Sequence, residues 1–284
     1  MQAKKRPKIL VHLALLIASA FALLPLIWMV STSLKTAPQT AEYPPHLIPH
    51  PVAWKNYTMD LHTDNMNFAL LARNTLIITL LSVAGTLISS AIVAYGFAKI
   101  RFPGRGILFA IMLSTMMIPA SVTLVSLFAM YRWLDVHTPI QFFGTAKPLW
   151  LPYWFASAFN VFLLRQFYLT IPEELSEAAR IDGCGEWGIF CRVILPLSRP
   201  ALVVVALFTF MGVWNDFLGP LVYLQSPEQY TLAVGLENFL TRNGGAEYNL
   251  LMAWSVLIIL PVLILFFVAQ RTFVEGIATT GMKG

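Results

Sequence analysis

Charge is what this sequence has least of. Of 284 residues only 12% are Asp, Glu, Lys or Arg, while 57% are hydrophobic. A soluble domain carries about 25% charged residues, so half that density, with a mean hydropathy of +0.69, argues for a chain solvated by lipid. Cysteine is nearly absent as well. Cys184 and Cys191 are the only two, without CxxC spacing or a neighbouring histidine, which argues against a disulfide framework and against metal. Catalytic signatures are missing too. No lysine follows a glycine, so there is no GxxxxGK[ST] phosphate loop and no ATP hydrolysis by that route; HExxH and GxSxG are equally absent. His46 and His50 lie four apart, but Pro44, Pro45, Pro49 and Pro51 around them deny them a shared helix face. Nothing here composes an enzyme site, and no nucleic-acid partner is expected.

Long apolar runs are what the chain has instead. About 20 apolar residues are needed to cross roughly 30 Å of hydrocarbon. Six stretches qualify: Ile9–Val30, Asn74–Ala98, Ile107–Tyr131, Leu149–Tyr168, Ala201–Tyr223 and Leu250–Gln270. The fourth is the weakest, interrupted by Pro152, Asn160 and Arg165. The first follows Lys4, Lys5, Arg6 and Lys8, and its 22 residues are too many for a signal-peptide core, so it reads as an uncleaved anchor. Residues Ser31 to Arg73, rich in proline, read as an irregular external loop. With the N-terminus inside, 13 of the 19 Lys and Arg residues fall on inner segments, which places both termini in the cytoplasm. For the basic turn Lys99–Gly106, side chains snorkelling to the lipid surface explain the charges as well as any specific role does, so no chemistry is assigned to them. Pro25, Pro119 and Pro261 each remove a backbone donor inside a stretch and invite a kink.

One stretch does not fit the greasy pattern. Eight charged side chains fall between Glu173 and Arg199, too many for a bilayer-spanning helix, so the segment belongs in water between two spans. Thr170 and Glu173 have capping-box spacing, and acidic residues crowd the first turn, where the helix dipole favours them. Leu175, Ala178, Ala179 and Asp182 share a face whose small residues permit close approach by a partner. Gly183 is a natural stop, and a second short helix is expected with Trp187, Phe190 and Ile194 apolar and Pro196 closing it.

Glu177-Ala178-Ala179, then Gly183, Val193 and Leu195-Pro196, resembles the EAA loop of ABC-importer permeases, with Val193 where the family usually has Ile. AYGFAKIRFPGR (94–105) and WN-x-FL-x-PL (214–221) resemble patterns of that family, and FLLRQFYLTIPEELSEAARIDG (162–183) and the tail from Pro261 are similar to its carbohydrate branch. The resemblance runs from about Ile9 to Gly284 and is weakest over residues 31–73 and 132–148. It implies an all-α integral membrane protein with the type I ABC importer permease fold and six transmembrane helices. Residues 1–8 would be a cytoplasmic N-terminus and 9–284 the permease domain, with its core at 74–272 and the coupling loop at 170–200. It implies coupling residues Glu177, Ala178, Ala179, Asp182, Gly183, Leu195 and Pro196. It also implies partners: a homologous second permease, two ATP-binding subunits that hold ATP and Mg, an extracytoplasmic solute-binding protein touching about 224–249, and a sugar substrate in a bacterial cytoplasmic membrane. No cofactor is expected in this chain.

Trp214, Asn215 and Asp216 are polar or amphipathic residues within the fifth stretch. An ionisable group at such depth faces a bundle interior or a watery cavity, and an aromatic face with amide and carboxylate partners suits a sugar. That makes the three candidates for a translocation path. The other reading, equally open, is that Gly219-Pro220 ends the helix and Asp216 snorkels to the outer interface. Three rivals stand beside the sugar-importer reading: a glycerol-phosphate importer of the same family, an ATPase-independent channel or carrier, and a membrane enzyme, which the missing catalytic residues disfavour.

Overall fold

The computed structural model of the chain describes residues 9–58, 62–63, 66–243 and 247–280. Lys4, Lys5, Arg6, Lys8 and Lys283 therefore lie outside the described residues. Regular structure among the described residues is helical apart from two two-residue strands, His62–Thr63 and Met66–Asn67. The principal helices are α1 (Ile9–Ser33), α2 (Phe68–Lys99), α3 (Arg105–Ser114), α4 (Ala120–His137) and α5 (Ala158–Thr170). They continue with α6 (Glu173–Ile181), α7 (Glu186–Leu197), α8 (Arg199–Trp214), α9 (Leu218–Tyr223), α10 (Leu232–Asn243) and α11 (Tyr248–Thr280). Two compact units emerge, one within residues 1–64 and 236–261, the other within 65–235 and 262–284.

In the first unit α1 buries nothing between Ile9 and Val30; its apolar surface is left for lipid or a partner. Beyond it the chain is pinned by polar groups. Asn56 Nδ2 donates to the carbonyls of Ser33 and Lys35, each at 2.8 Å, and Asn249 Nδ2 donates to Asn56 Oδ1 at 3.2 Å. Lys35 Nζ sits 4.5 Å over the Trp28 ring, and Phe239 stacks on Trp254. The expected irregular loop is thus partly structured, with a short helix at Ala37–Thr40 and a 3-10 turn at Trp54–Tyr57.

The second unit is built along α2, which Asn67 caps by accepting from the Ala69 and Leu70 amides. From Asn74 to Lys99 this helix covers about 38 Å at 1.5 Å per residue, and a separate apolar cluster forms near each end. Near the Asn74 end Ile78 packs with Tyr131, Phe142, Leu149, Val213, Tyr223 and Leu224. Towards the Lys99 end Ala94, Tyr95 and Ala98 pack with Val161, Leu164, Tyr168, Ile171, Ile189, Phe190, Ile194, Ala201 and Val205. The chain passes between these ends four times: along α2, through α3 and α4, from Leu149 through α5, and through α8 and α9.

Three of those four passes are broken. The third apolar stretch divides at Thr115–Pro119, where α3 and α4 meet at 98°; Pro119 cannot donate a backbone hydrogen bond, and Ile118 is extended as a residue before proline prefers. The fourth is a 3-10 turn, Leu151–Phe155, followed by the 13 residues of α5. The fifth is interrupted at Asn215–Phe217. Pro25 and Pro261, by contrast, run inside helices that continue through them. Among the described residues three unbroken helices are long and apolar enough to cross a membrane: α1, α2 and the first 23 residues of α11.

Candidate functional site

The hydrophilic segment folds as a helical hairpin at the Lys99 end of α2. Its first helix does not start by the expected capping box. Thr170 belongs to α5, where its hydroxyl donates to the Phe167 carbonyl at 2.7 Å. Pro172 occupies the N-cap of α6 instead, and Glu173 is released to make ion pairs. The helix stops as the sequence predicts. Gly183 takes φ +82°, its amide donates to Arg180 O at 3.0 Å, and the Cys184 amide donates to Ala179 O at 2.9 Å, the paired bonds of a Schellman motif. α7 then continues past its expected end. A π-turn over Phe190–Ile194 lets the Leu195 amide reach Phe190 O, and Pro196 follows within the same helix, which closes at Leu197.

The two helices of the hairpin are held differently. α7 buries Ile189, Phe190 and Ile194, and the Phe190 ring lies 5.1 Å from that of Tyr95. Trp187, expected on that apolar face, is exposed. α6 buries only Ser176 and lays Ala179 against the core. Leu175, Glu177, Ala178, Ile181 and Asp182 all face outward, Ile181 being 87% exposed. Of the face expected to meet a partner, Ala179 is turned inward and Ala178 outward.

A chain of charges holds the hairpin to α2. Lys99 Nζ donates to Ile171 O at 2.8 Å and to Glu173 Oε2 at 3.1 Å. Arg180 reaches Glu173 Oε1 at 3.5 Å and Glu186 Oε1 at 3.0 Å, and the Tyr95 phenol donates to Glu186 Oε2 at 2.6 Å. Those bonds act on Glu186 in one direction: the Tyr95 hydrogen bond first and Arg180 after it outweigh partial burial and hold its carboxyl below the ordinary range. The Lys99 side chain is 5% exposed, so it does not snorkel to lipid as its place in a basic turn suggested. Lys99 and Tyr95 are the residues sequence reasoning missed. The signal was available in AYGFAKIRFPGR, but a lysine at a span's end has an easier explanation at the lipid surface.

The residues of the fifth stretch come together differently. Trp214 is buried and stacks on Phe210 at 5.2 Å. Asn215 is exposed, its Nδ2 donating to Met211 O at 2.8 Å. Asp216 is half-buried, and its Oδ1 accepts the Gly219 amide at 3.2 Å, with the Leu218 amide beside it. The carboxylate therefore caps α9, and a side chain on Gly219 would collide with it and with Leu149. At the opposite end of α2 from the hairpin, Asn74 Nδ2 holds the carbonyls of Glu228 and Tyr230, and Thr75 Oγ1 accepts the Leu232 amide. That fixes the start of the segment 224–249.

Residues 86–278 match the family described as binding-protein-dependent transport system inner membrane component. The chain belongs to that family. Among its relatives, the arabinooligosaccharide transport system permease AraQ of Bacillus subtilis is 35% identical over 83% of this chain and 81% of its own length. The sn-glycerol-3-phosphate transport system permease UgpE of Yersinia pestis is 32% identical over 94% of each chain. A crystal structure of a bacterial ABC transporter that imports the acidic polysaccharide alginate superposes with a TM-score of 0.81, at 26% identity, over 95% of this chain and 99% of that one. An inner membrane component of a binding-protein-dependent system is a transport subunit, with no catalytic role of its own.

Proposed function

We propose that this chain is the permease subunit that carries a sugar, an oligosaccharide or a related polyol, inward across the bacterial cytoplasmic membrane. Six crossings would place both termini in the cytoplasm: α1, the four passes of the second unit, and α11. The carrying observation is the hairpin. A helix whose apolar Leu175 and Ile181 stand in water beside Ala178 and Glu177, on a framework locked at Gly183, is a surface prepared for a partner. With both termini inside, that partner is cytoplasmic, and we assign it to an ATP-binding subunit that supplies ATP and Mg. Glu177, Ala178, Asp182 and Gly183 form the docking side, while Ala179 and Leu195 pack on the side that joins it to the bundle, with Pro196 exposed next to Leu195. A second permease, a second ATP-binding subunit and an extracytoplasmic binding protein, the last against 224–249, complete the assembly. Solute would pass beside Trp214, Asn215 and Asp216.

Enlarging Ala178 tests the docking without disturbing the hairpin, because that side chain already faces out. Ala178→Leu should appear in the membrane at wild-type abundance, yet co-purify poorly with its ATP-binding subunit and lose substrate-stimulated hydrolysis. Normal retention and stimulation would reduce the hairpin to a solvated connector. The Yersinia relative keeps glycerol phosphate as the second substrate reading, so uptake of arabino-oligosaccharide and of sn-glycerol-3-phosphate by the reconstituted transporter should be compared directly.

A further inference from the structure

The charges at the foot of α2 form a closed circuit. It leaves α2 at Lys99, enters α6 at Glu173, crosses to α7 through Arg180 and Glu186, and returns to α2 at Tyr95. Apolar packing cannot do the same work for α6. α7 is anchored by three buried side chains, but α6 turns Leu175, Ala178 and Ile181 outward and offers the bundle little beyond Ser176 and Ala179. A displacement of α6 therefore reaches the membrane helices by the covalent chain, by its limited packing at Ser176 and Ala179, and by the polar circuit. Exposed ion pairs in general contribute little, and the two made by Arg180 are exposed at both ends. Lys99 is different, since its ammonium is buried and satisfied at the same time by a carboxylate and by the carbonyl of Ile171. Removing it leaves the Ile171 carbonyl without that donor and cuts the circuit where it joins α2.

We infer that Lys99 is a positioning residue for energy coupling: it tethers the docking helix α6 to the end of the long membrane helix α2, so that movement of one is imposed on the other. This rests on the reading of α6 as the helix that docks an ATP-binding subunit, and it adds the route by which docking reaches the bilayer. Tyr95 closes the same circuit through Glu186 and is the second tether.

The whole transporter, with its ATP-binding subunits and binding protein, decides the matter in Lys99→Met, Lys99→Arg and Glu173→Gln. Three quantities are measured: ATP-binding subunit retained on purification, the ratio of binding-protein-stimulated to unstimulated hydrolysis, and solute uptake. Lys99→Met should retain its ATP-binding subunit while the stimulation ratio and uptake fall about tenfold, the scale of a modest coupling energy. Glu173→Gln, which keeps shape and removes charge, should fall in the same direction. Lys99→Arg, which can still donate to both oxygens, should recover most of the loss. Wild-type stimulation in Lys99→Met would overturn the tether. So would a matching loss of retention and stimulation that Lys99→Arg fails to rescue, because Lys99 would then merely hold the hairpin folded. Ala178→Leu, which leaves the tether whole, separates the two readings: full retention and stimulation there would overturn docking itself, and with it the tether's purpose.

Discussion

Glu186 is a side chain on which the state of the hairpin can be read. Its carboxylate is favoured by the Tyr95 hydrogen bond and then by Arg180, so its acidity is greater in the folded protein than in the unfolded chain. A group depressed in this way stabilises the fold above the ordinary carboxylate range and loses that contribution as pH falls through the lowered folded value. Wild type should therefore melt above Glu186→Gln near neutral pH, by no more than about 1 kcal/mol because the side chain is roughly half exposed. The gap should close in acid, on the low side of the ordinary range. A gap independent of pH would mean that shape, not charge, makes the difference. Gly183 gives a second residue-scale expectation. At φ +82° any other L-residue is strained, so Gly183→Ala should cost about 1 kcal/mol in thermal melts. These two residues differ in how legible they were. A glycine after an acidic amphipathic helix has one obvious use, and the structure uses it so. Glu186 and Lys99 are charges whose partners lie about ninety and seventy residues away, and no local pattern names such partners.

At the scale of elements, the sequence marks hydrophobic stretches well and their interruptions poorly. Asn74–Ala98 became part of one unbroken helix, whereas the third, fourth and fifth stretches became broken ones. Composition cannot separate these cases, because an apolar run satisfies the bilayer whether or not its backbone bends, provided that the freed groups find partners within the protein. The helix start at Thr170 failed for a related reason. Two helices separated by Ile171 and Pro172 compete for the same polar residue, and α5 keeps Thr170. The break at Asn215–Phe217 carries its own prediction. Asp216 accepts amides at the start of α9, so Asp216→Ala should lose a cap, at about 0.5–2 kcal/mol, and impair transport. Asp216→Asn keeps the accepting oxygen without the charge. If solute passes by way of the carboxylate, Asn should transport as poorly as Ala while melting like wild type. If Asn transports normally, Asp216 is a cap and the path lies elsewhere.

At the scale of the whole molecule, direction matters most, because ATP is available on only one side of the membrane. Lys99 bonded to Ile171, and Asn74 bonded to Glu228 and Tyr230, put the hairpin and the start of the segment 224–249 at opposite ends of α2. On the six-crossing reading proposed above, one of them is inside and the other outside. The proposed orientation, which follows the positive-inside bias, puts the hairpin in the cytoplasm, and the chain carries its own reporters there. Cys191 is exposed on α7 and Cys184 is half-buried in the turn before it; no other cysteine is present to confuse them. A membrane-impermeant maleimide should leave both thiols unmodified in sealed right-side-out vesicles. In inside-out vesicles it should modify Cys191 faster than Cys184, and Cys191→Ser should abolish the fast phase alone. Modification in sealed right-side-out vesicles would turn the hairpin to the outside. It would then have no access to an ATP-binding subunit, Ala178 could not dock one, and the tether at Lys99 would have no load to transmit.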